Sequence, residues 1–571
     1  MNRHLLLSVA VVSILVGSSG CAGRRESQSP VTQSQARRIS VEDYLDKMKA
    51  GWVGQMAGVG WGAPTEFHCQ GVIMPEDQVP QWEPKLVNQF EQDDIYVEMT
   101  FLRTLELHGF GVSIRQAGID FANSGYPLWH ANKAGRDNLR AGIAPPDSGH
   151  PRFNKHADDI DYQIEADYAG LISPGMPNVP IQLGEIFGRL MNYGDGLYGG
   201  QFIGGMYAEA FFEKDIVKVV EAGLRCIPPQ SLYHQCISDV LRWYREYPND
   251  WSKTWQLVNE KYQLNPQNRR FSCTGPEADF NIDAKINGAY VVMGLLYGRG
   301  DPDKTIVIAM RCGQDSDCNP SNAGGILFTT MGFKNLPERF SSALDPTGKF
   351  GHTPYDFPTV IGVCEELARQ AVVNCRGKIK TDAKGREYFV IPGQRPRPSV
   401  LEQCWAPRPP AYSRYTEQEM ALITAEAGED LSKAIEEFAP GWKVAKCGEE
   451  MDPGLKDEVR GKKNVLVTHP LSETVGCVLS RTIELPANRV STLKLVVGND
   501  PRGDWDLIVK ANGQQLLRKT IGPQTTNLGW TEVTVDLSSY SGQTVKLELI
   551  NEPTGWRFEA AHWAEITVQS R

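Results

Sequence analysis

Near Gly441 the hydrophobic period of this 571-residue chain changes, and that change limits its folds more than any other feature. From Ser40 to about Cys375 the apolar residues recur at helical spacing, as in IYVEMTFLRTLEL, LYHQCISDVLRWYREY, INGAYVVMGLLYG and FPTVIGVCEELARQAVVNC. SVEDYLDKMKAGWVGQMAG opens that region, with Ser40 and Asp43 at capping-box-like spacing. No regular alternation of strand and helix appears, so an all-α domain over 40–380 is expected. From Gly441 the period is two, in NVLVTH, CVLSRTIEL, STLKLVVG, WDLIVKANGQQLLRKTI, TEVTVDL and TVKLELI. Asn512-Gly513 between alternating runs signals a hairpin, and the set predicts a β-sandwich over 441–571. The chain is therefore multidomain, and it is too long for one core. Residues 381–440 join the two parts as a proline-rich connector laid across the first domain, followed by a short helix from Thr416 to Phe438. Trp505, Trp530, Trp556 and Trp563 are the sandwich's candidate sugar-stacking residues, set against the commoner role of tryptophan as core.

The start of the chain has another character. Arg3 and His4, the apolar stretch Leu5 to Val16 and the small residues before Cys21 predict a signal peptide over 1–20. Cys21 after Ser18-Ser19-Gly20 resembles a bacterial lipoprotein processing site, which predicts an exported, lipid-anchored protein on the periplasmic or outer-membrane face. Residues 21–39 are polar and read as a tether. A formal charge of -10 argues against nucleic acid as a partner. The 12 cysteines show no paired spacing, and no CxxC or HExxH occurs, so spacing gives a zinc site no support.

Three motifs carry the chemistry. In RCGQDSDCNPSNAGGILF, Asp315 and Asp317 repel each other unless a cation, a proton or donors lie between them. Asn319-Pro320 reads as an N-cap and first helical residue, and Ala323, Gly324 and Gly325 allow another backbone to come close. In NQFEQDDIYVEMTFL, Asp93 and Asp94 again precede an apolar helix. Each pair alone is compatible with simple capping. Two pairs at two helix mouths suggest a divalent cation held by oxygen, for which magnesium, calcium or manganese is suited. In GWVGQMAGVGWGAPTEF, Gly58, Gly60 and Gly62 are expected to end the first helix in a turn that presents Glu66. Between the motifs, Asp158, Asp161 and Glu165 fall at helical spacing, which reads equally as a solvated face or as a second acidic rim near the pocket, with Asp159 in the same stretch and Asn154 and His156 helping. MNYGDGLYGG, with Tyr193, Asp195 and Tyr198, is either a substrate loop or a helix connection.

Taken together these residues resemble the ADP-ribosylglycohydrolase family, which includes the enzyme that reactivates ADP-ribosylated dinitrogenase reductase. Gly58, Gly62, Ala63, Pro64, Glu66 and Phe67 match its first motif, Asp93 and Asp94 its second, and Gly313, Asp315, Asp317, Asn319, Ala323 and Gly324 its third. The resemblance implies an all-α domain with two magnesium ions held by those aspartates, and cleavage of a glycosidic bond at ribose. It makes Glu66 the expected catalytic residue. Gln92, Asp93, Asp94, Asp315, Asp317 and Cys318 become the expected metal ligands, and Asp158, Asp159, Asp161, Asp195 and Asn319 candidates for substrate binding. The sequence departs from the family at Val59, where an aspartate is usual, at Gln92, Ile95 and Cys318, where threonines are usual. A thiol is a poor ligand for magnesium.

The expected function is an exported, metal-dependent glycoside hydrolase acting on an ADP-ribose conjugate or a glycan. The alternative is a surface lipoprotein that binds sugar or calcium without turnover.

Overall fold

The computed structural model describes residues 36–351, 353–423, 429–448, 451–471, 474–555 and 558–571. The leader over 1–20, Cys21, nearly all of the tether and Trp556 lie outside the described residues. An N-terminal helical domain is followed by a C-terminal domain of two antiparallel sheets.

The helical domain is organised around its first helix, Val41–Gly62. The Ser40 hydroxyl accepts from the Asp43 amide at 3.0 Å and fixes its start. From Ala50 onward every residue of this helix is buried. It crosses the helix Cys318–Met331, itself buried from Cys318 to Thr330. At the crossing the backbones nearly touch: a Cβ on Gly54 would lie 2.4 Å from the Gly324 carbonyl oxygen. Gly58 and Gly62 are part of this contact and lie within the helix, not in a turn after it. A missing Cβ serves close approach as well as it serves a turn, and here approach is its use.

The foreseen helices are present, among them Asp93–His108, Leu232–Glu246, Ala284–Gly298, Pro302–Arg311 and Phe357–Asn374. The residues around Asp158 to Glu165 form only the four-residue helix Asp161–Ile164, so no long acidic face exists there. A small sheet is added to the helices: β1 (Arg37–Ser40), β2 (Lys378–Thr381) and β3 (Glu387–Ile391), in the order β1-β3-β2. Ile39, Phe389 and Ile391 are its buried residues. The last tether residues and the first connector residues therefore belong to this domain.

The proline-rich segment after Ile391 is a strap held at a few polar points. The Tyr198 hydroxyl donates to the Val400 carbonyl at 2.9 Å and accepts from the Glu402 amide at 2.7 Å. The Asp147 carboxylate accepts from the amides of Ala411 (2.9 Å) and Ser413 (2.6 Å). The Tyr193 hydroxyl accepts from the Arg408 amide at 3.1 Å, so Tyr193 and Tyr198 both anchor the strap. The single helix expected from Thr416 to Phe438 is instead two: Glu417–Met420 and Glu429–Phe438. Glu419 of the first pairs with Arg115 of the helical domain. Ala434 and Ile435 of the second are buried in the core of the sheets.

The sandwich contains β4 (Lys443–Ala445), β5 (Gly454–Val459), β6 (Lys462–Thr468), β7 (Cys477–Glu484) and β8 (Ser491–Asn499). It continues with β9 (Trp505–Ala511), β10 (Gln514–Ile521), β11 (Trp530–Asp536), β12 (Thr544–Glu552) and β13 (Ala561–Ser570). The sheets run β10-β9-β12-β7-β4 and β11-β8-β13-β6-β5. Asn512 and Gly513 turn β9 into β10 with φ of 48° and 81°, as the hairpin signal requires. Trp505 and Trp563 are fully buried with ring centroids 5.3 Å apart, and Trp530 is buried beside Val465 and Val496. Trp505 and Trp563 are core, Trp530 sits in a small cluster on the opposite face of its sheet, and none of the three is an exposed sugar platform.

Candidate active site

Three chain segments meet at the mouth of the helix crossing. Beyond Gly62 the chain makes the short turn Ala63–Thr65. The Thr65 hydroxyl lies 2.8 Å from that of Ser316, and the Phe67 amide donates to the Gln314 carbonyl at 3.0 Å. These bonds hold the Glu66 turn against the loop that carries Asp315 and Asp317. That loop bends through Gly313 (φ 80°) and Gln314 (φ 57°), and the Gln314 side-chain oxygen accepts from the Asn281 amide at 2.9 Å. The N-cap of the following helix is Asp317, whose carboxylate accepts from the Cys318 amide at 2.9 Å. Asn319, expected to be the cap, is one turn position inside and donates to Asn287 Oδ1 at 2.9 Å. A carboxylate next to the first free amide outcompetes an amide side chain two residues later.

The helix Asp93–His108 supplies the second acidic pair. Its N-cap is Gln92, which makes no side-chain capping bond, and the Asp94 amide donates to Asp93 Oδ1 at 3.0 Å. Ligand atoms of Asp93, Asp94 and Cys318 lie within 4.8 Å of one another, and so do those of Asp315, Asp317 and Cys318. Cys318 is therefore common to two adjoining trios.

These residues border a cavity of about 420 Å³. Its carboxylates are Glu66, Glu91, Asp93, Asp161, Asp315 and Asp317; Gln92 and Cys318 lie between them. Phe67, Tyr96, Trp129, Phe280 and the His130 ring form its aromatic wall, with Ile160, Ile164 and Ile282. Larger clefts of about 660 and 690 Å³ lie elsewhere. In the first of these, Arg189 is already paired with Glu185 and Glu402, and no comparable set of carboxylates faces the space.

Burial and mutual repulsion set the electrostatics. Desolvation, then the charges of Asp317 and Asp93, raise the Glu66 carboxyl to about 7, although Glu66 stands at the exposed rim. Burial and then Asp317 raise Asp93 to about 6. Asp94 and Asp315 are pushed well above the ordinary carboxylate range, by burial first and a neighbouring aspartate second. Both Asp94 carboxylate oxygens and Asp315 Oδ1 are buried with no donor in hydrogen-bonding geometry. Acceptors left unpaired in this way are costly unless a cation or proton satisfies them. An oxygen-rich donor set of this kind fits a hard divalent ion, with Cys318 as the one soft member.

Of the five candidate substrate-binding residues, the cavity wall includes only Asp161, which accepts from the amides of Ala131 (3.2 Å) and Asn132 (2.9 Å). Asp158 and Asp159 are buried beside Asp283, behind the wall. Asp195 is the first residue of the helix Asp195–Ala210, and its carboxylate accepts from the Tyr233 amide at 3.2 Å. With Asn319 buried against Asn287, none of these four borders the space. Sequence reasoning missed Glu91 and Tyr96, which flank the Asp93-Asp94 pair in its own motif, and Trp129, His130 and Phe280, which come from other segments and form no motif.

The ADP-ribosylglycohydrolase family model matches residues 40–376. Among solved structures, an ADP-ribosylglycohydrolase-related protein complex aligns over 58% of this chain and 99% of its own, at 13% identity and a TM-score of 0.36. A cyclase from Fischerella sp. TAU aligns over 23% of this chain and 85% of its own, at 17% identity and a TM-score of 0.19. A xylan-binding domain from Paenibacillus barcinonensis covers 23% and 86%, at 15% identity and a TM-score of 0.18. No curated protein matches the chain.

Proposed function

This chain belongs to the ADP-ribosylglycohydrolase family, and from that membership we propose that it is a metal-dependent glycosidase hydrolysing a ribosyl or related glycosidic bond. The observation that carries the reading is the convergence of Glu66, Asp93, Asp315 and Asp317 on one cavity beside buried, unpaired carboxylate oxygens.

Asp93, Asp94, Asp315 and Asp317, with Gln92 and Cys318, would hold one or two divalent ions of the magnesium type. Such an ion supplies orientation of sugar hydroxyls and compensation for the clustered negative charge. Glu66 stands at the rim, where it can take a proton from water or give one to a leaving group. The repulsion of Asp317 and Asp93 that lifts its pKa is what a nearby cation offsets, so cation binding favours its carboxylate form. Negative charge around the cavity suits a reaction whose transition state is oxocarbenium-like. The aromatic wall offers flat faces for a sugar or base, and Trp129, half exposed at the edge, extends that surface outward.

Among the described residues the wall contains no Lys or Arg. That favours an uncharged glycoside or nucleoside as the group held in the cavity, over a diphosphate. Export to the cell envelope, expected from the leader, would agree with a glycan or exported glycoconjugate as substrate.

The test is release of product from ADP-ribosylated peptides and from a glycan panel, with magnesium and with chelator, for the unmodified protein and Glu66→Gln. Metal-dependent release that Glu66→Gln abolishes is expected. Sugar binding without release on any substrate would support the non-catalytic alternative.

A further inference from the structure

Behind the cavity wall a second group of metal-ligand side chains is gathered from three separate segments. His130 opens the helix His130–Arg140. His156 and Asp159 lie one turn apart in the segment after it, and Cys273 comes from the loop that leads to Phe280. One ligand atom from each of the four lies within 4.8 Å of all the others. His156 Nδ1 is 2.6 Å, and His130 Nδ1 3.5 Å, from Asp159 Oδ2. The Cys273 thiol lies beside the same carboxylate, and burial and the Asp159 charge push the thiol well above its ordinary range.

The group is unsatisfied as it stands. Asp159 is completely buried, and its Oδ1 has no hydrogen-bond partner; neither has His130 Nδ1. Lys285, on the far side of Asp283, is committed to that carboxylate at 3.0 Å. His130 keeps its place with φ at 43°, a left-handed backbone unusual for a residue with a side chain.

We propose that His130, His156, Asp159 and Cys273 form a four-coordinate structural site for a zinc ion, separate from the oxygen-rich cluster at Asp93 and Asp315. Two imidazole nitrogens, one carboxylate and one thiolate are a zinc-type donor set, and magnesium disfavours it. Bond lengths of about 2.0–2.3 Å place tetrahedral ligands about 3.3–3.8 Å apart, so only small side-chain shifts are needed. One thiolate, one carboxylate and a dication sum to zero, so the occupied site adds no net charge of its own to the interior. With all four positions filled by protein, the ion has a holding role. His130 stacks on Phe280 at 5.7 Å and 22°, and both border the cavity. The ion would thus fasten the aromatic wall of the cavity, and the claim does not depend on what the cavity binds.

The full chain is stripped with chelator, saturated with magnesium, and titrated with Zn²⁺ and with Co²⁺. One tight equivalent of zinc is expected, and cobalt should give tetrahedral visible bands with a thiolate charge-transfer band. Cys273→Ser should remove the charge-transfer band and weaken zinc by at least about tenfold, the loss that even an outer partner of a metal site causes. Cys318→Ser should leave the band in place. X-ray absorption at the zinc edge of the unmodified protein should show one sulfur among nitrogen and oxygen ligands, a measurement that needs no variant to fold. Absence of a tight zinc equivalent, or a charge-transfer band that is lost with Cys318 and kept without Cys273, overturns the proposal.

Discussion

Gly58 and Pro320 are in backbone contact: a Cβ built on Gly58 would lie 2.2 Å from the Pro320 carbonyl oxygen. Pro320 belongs to the first turn after Asp317, so the packing of the first helix sets the position of that acidic pair. Gly58→Ala should cost about 1–3 kcal/mol, as overpacking of a tight core does. It should also weaken metal binding, because the helix mouth must move. Urea unfolding and magnesium calorimetry read the two effects; unchanged values for both would separate the crossing from the site.

Glu66 touches the cavity from the rim and its side chain caps no helix, its backbone alone closing the short turn Ala63–Thr65, so removing its charge leaves the packing intact. Glu66→Gln is expected to lower turnover by roughly 10²–10⁴-fold. Thermal stability and metal affinity should stay close to those of the unmodified protein. Retained turnover would reduce Glu66 to a loop residue.

Asp317 has two tasks that a substitution can separate. Asparagine still caps a helix, so Asp317→Asn should keep the fold, while magnesium affinity falls by at least about tenfold. Cys318→Thr should act in the opposite direction, since it replaces a soft sulfur common to both trios with a hard oxygen. Calorimetry on the pair tests the assignment, and equal affinity for both variants would refute it.

The buried carboxyls predict a pH dependence. Burial raises Asp161 to about 7 and Asp167 to about 8. In the unfolded chain an aspartate titrates at about 3.9. The native state therefore binds these protons more tightly, and the resulting stability is complete below about pH 4 and lost as pH rises through 7 and 8. In chelator, urea midpoints should fall from pH 5 to pH 8.5. Asp167→Asn, which keeps an acceptor for the Asn322 amide at 2.7 Å, should flatten the upper part of that slope.

One of the strap's anchors is a single hydroxyl that both donates and accepts. Tyr198→Phe removes both the bond to Val400 and the acceptor for the Glu402 amide. A loss of about 1–3 kcal/mol is expected, together with faster proteolysis between residues 392 and 415, read by mass spectrometry of the fragments.

What the sequence revealed and what it hid have physical reasons. The change of period at Gly441 and the two acidic pairs were legible because period and helix-mouth patterns are local. Gly58 and Gly62 misled, since glycine marks any place where a Cβ is forbidden, and only the partner helix tells a turn from a crossing. Asn319-Pro320 resembled a cap, yet Asp317 was nearer the free amides. Asp158, Asp159 and Asp195 belonged to buried polar contacts that no spacing reveals. The tryptophans of β9, β11 and β13 could be read as platform or as core; inward register put Trp505 and Trp563 in the core, while Trp530 is buried in a small cluster on the opposite face of its sheet. His130 and Cys273 escaped, and His156 was read only as a helper of the acidic rim, because their ligand geometry exists only after three distant segments meet.

The pairing of β1 with β3 has a mechanical consequence. Arg37 lies opposite Ile391 and Ser40 opposite Tyr388, so the chain enters the domain and leaves it at the same end of two antiparallel strands. A pull between the segment before Arg37 and the strap after Ile391 would load these four residue pairs one after another, as in opening a zipper. Tension across that junction would peel β1 away at low force and leave the helices beneath it undisturbed.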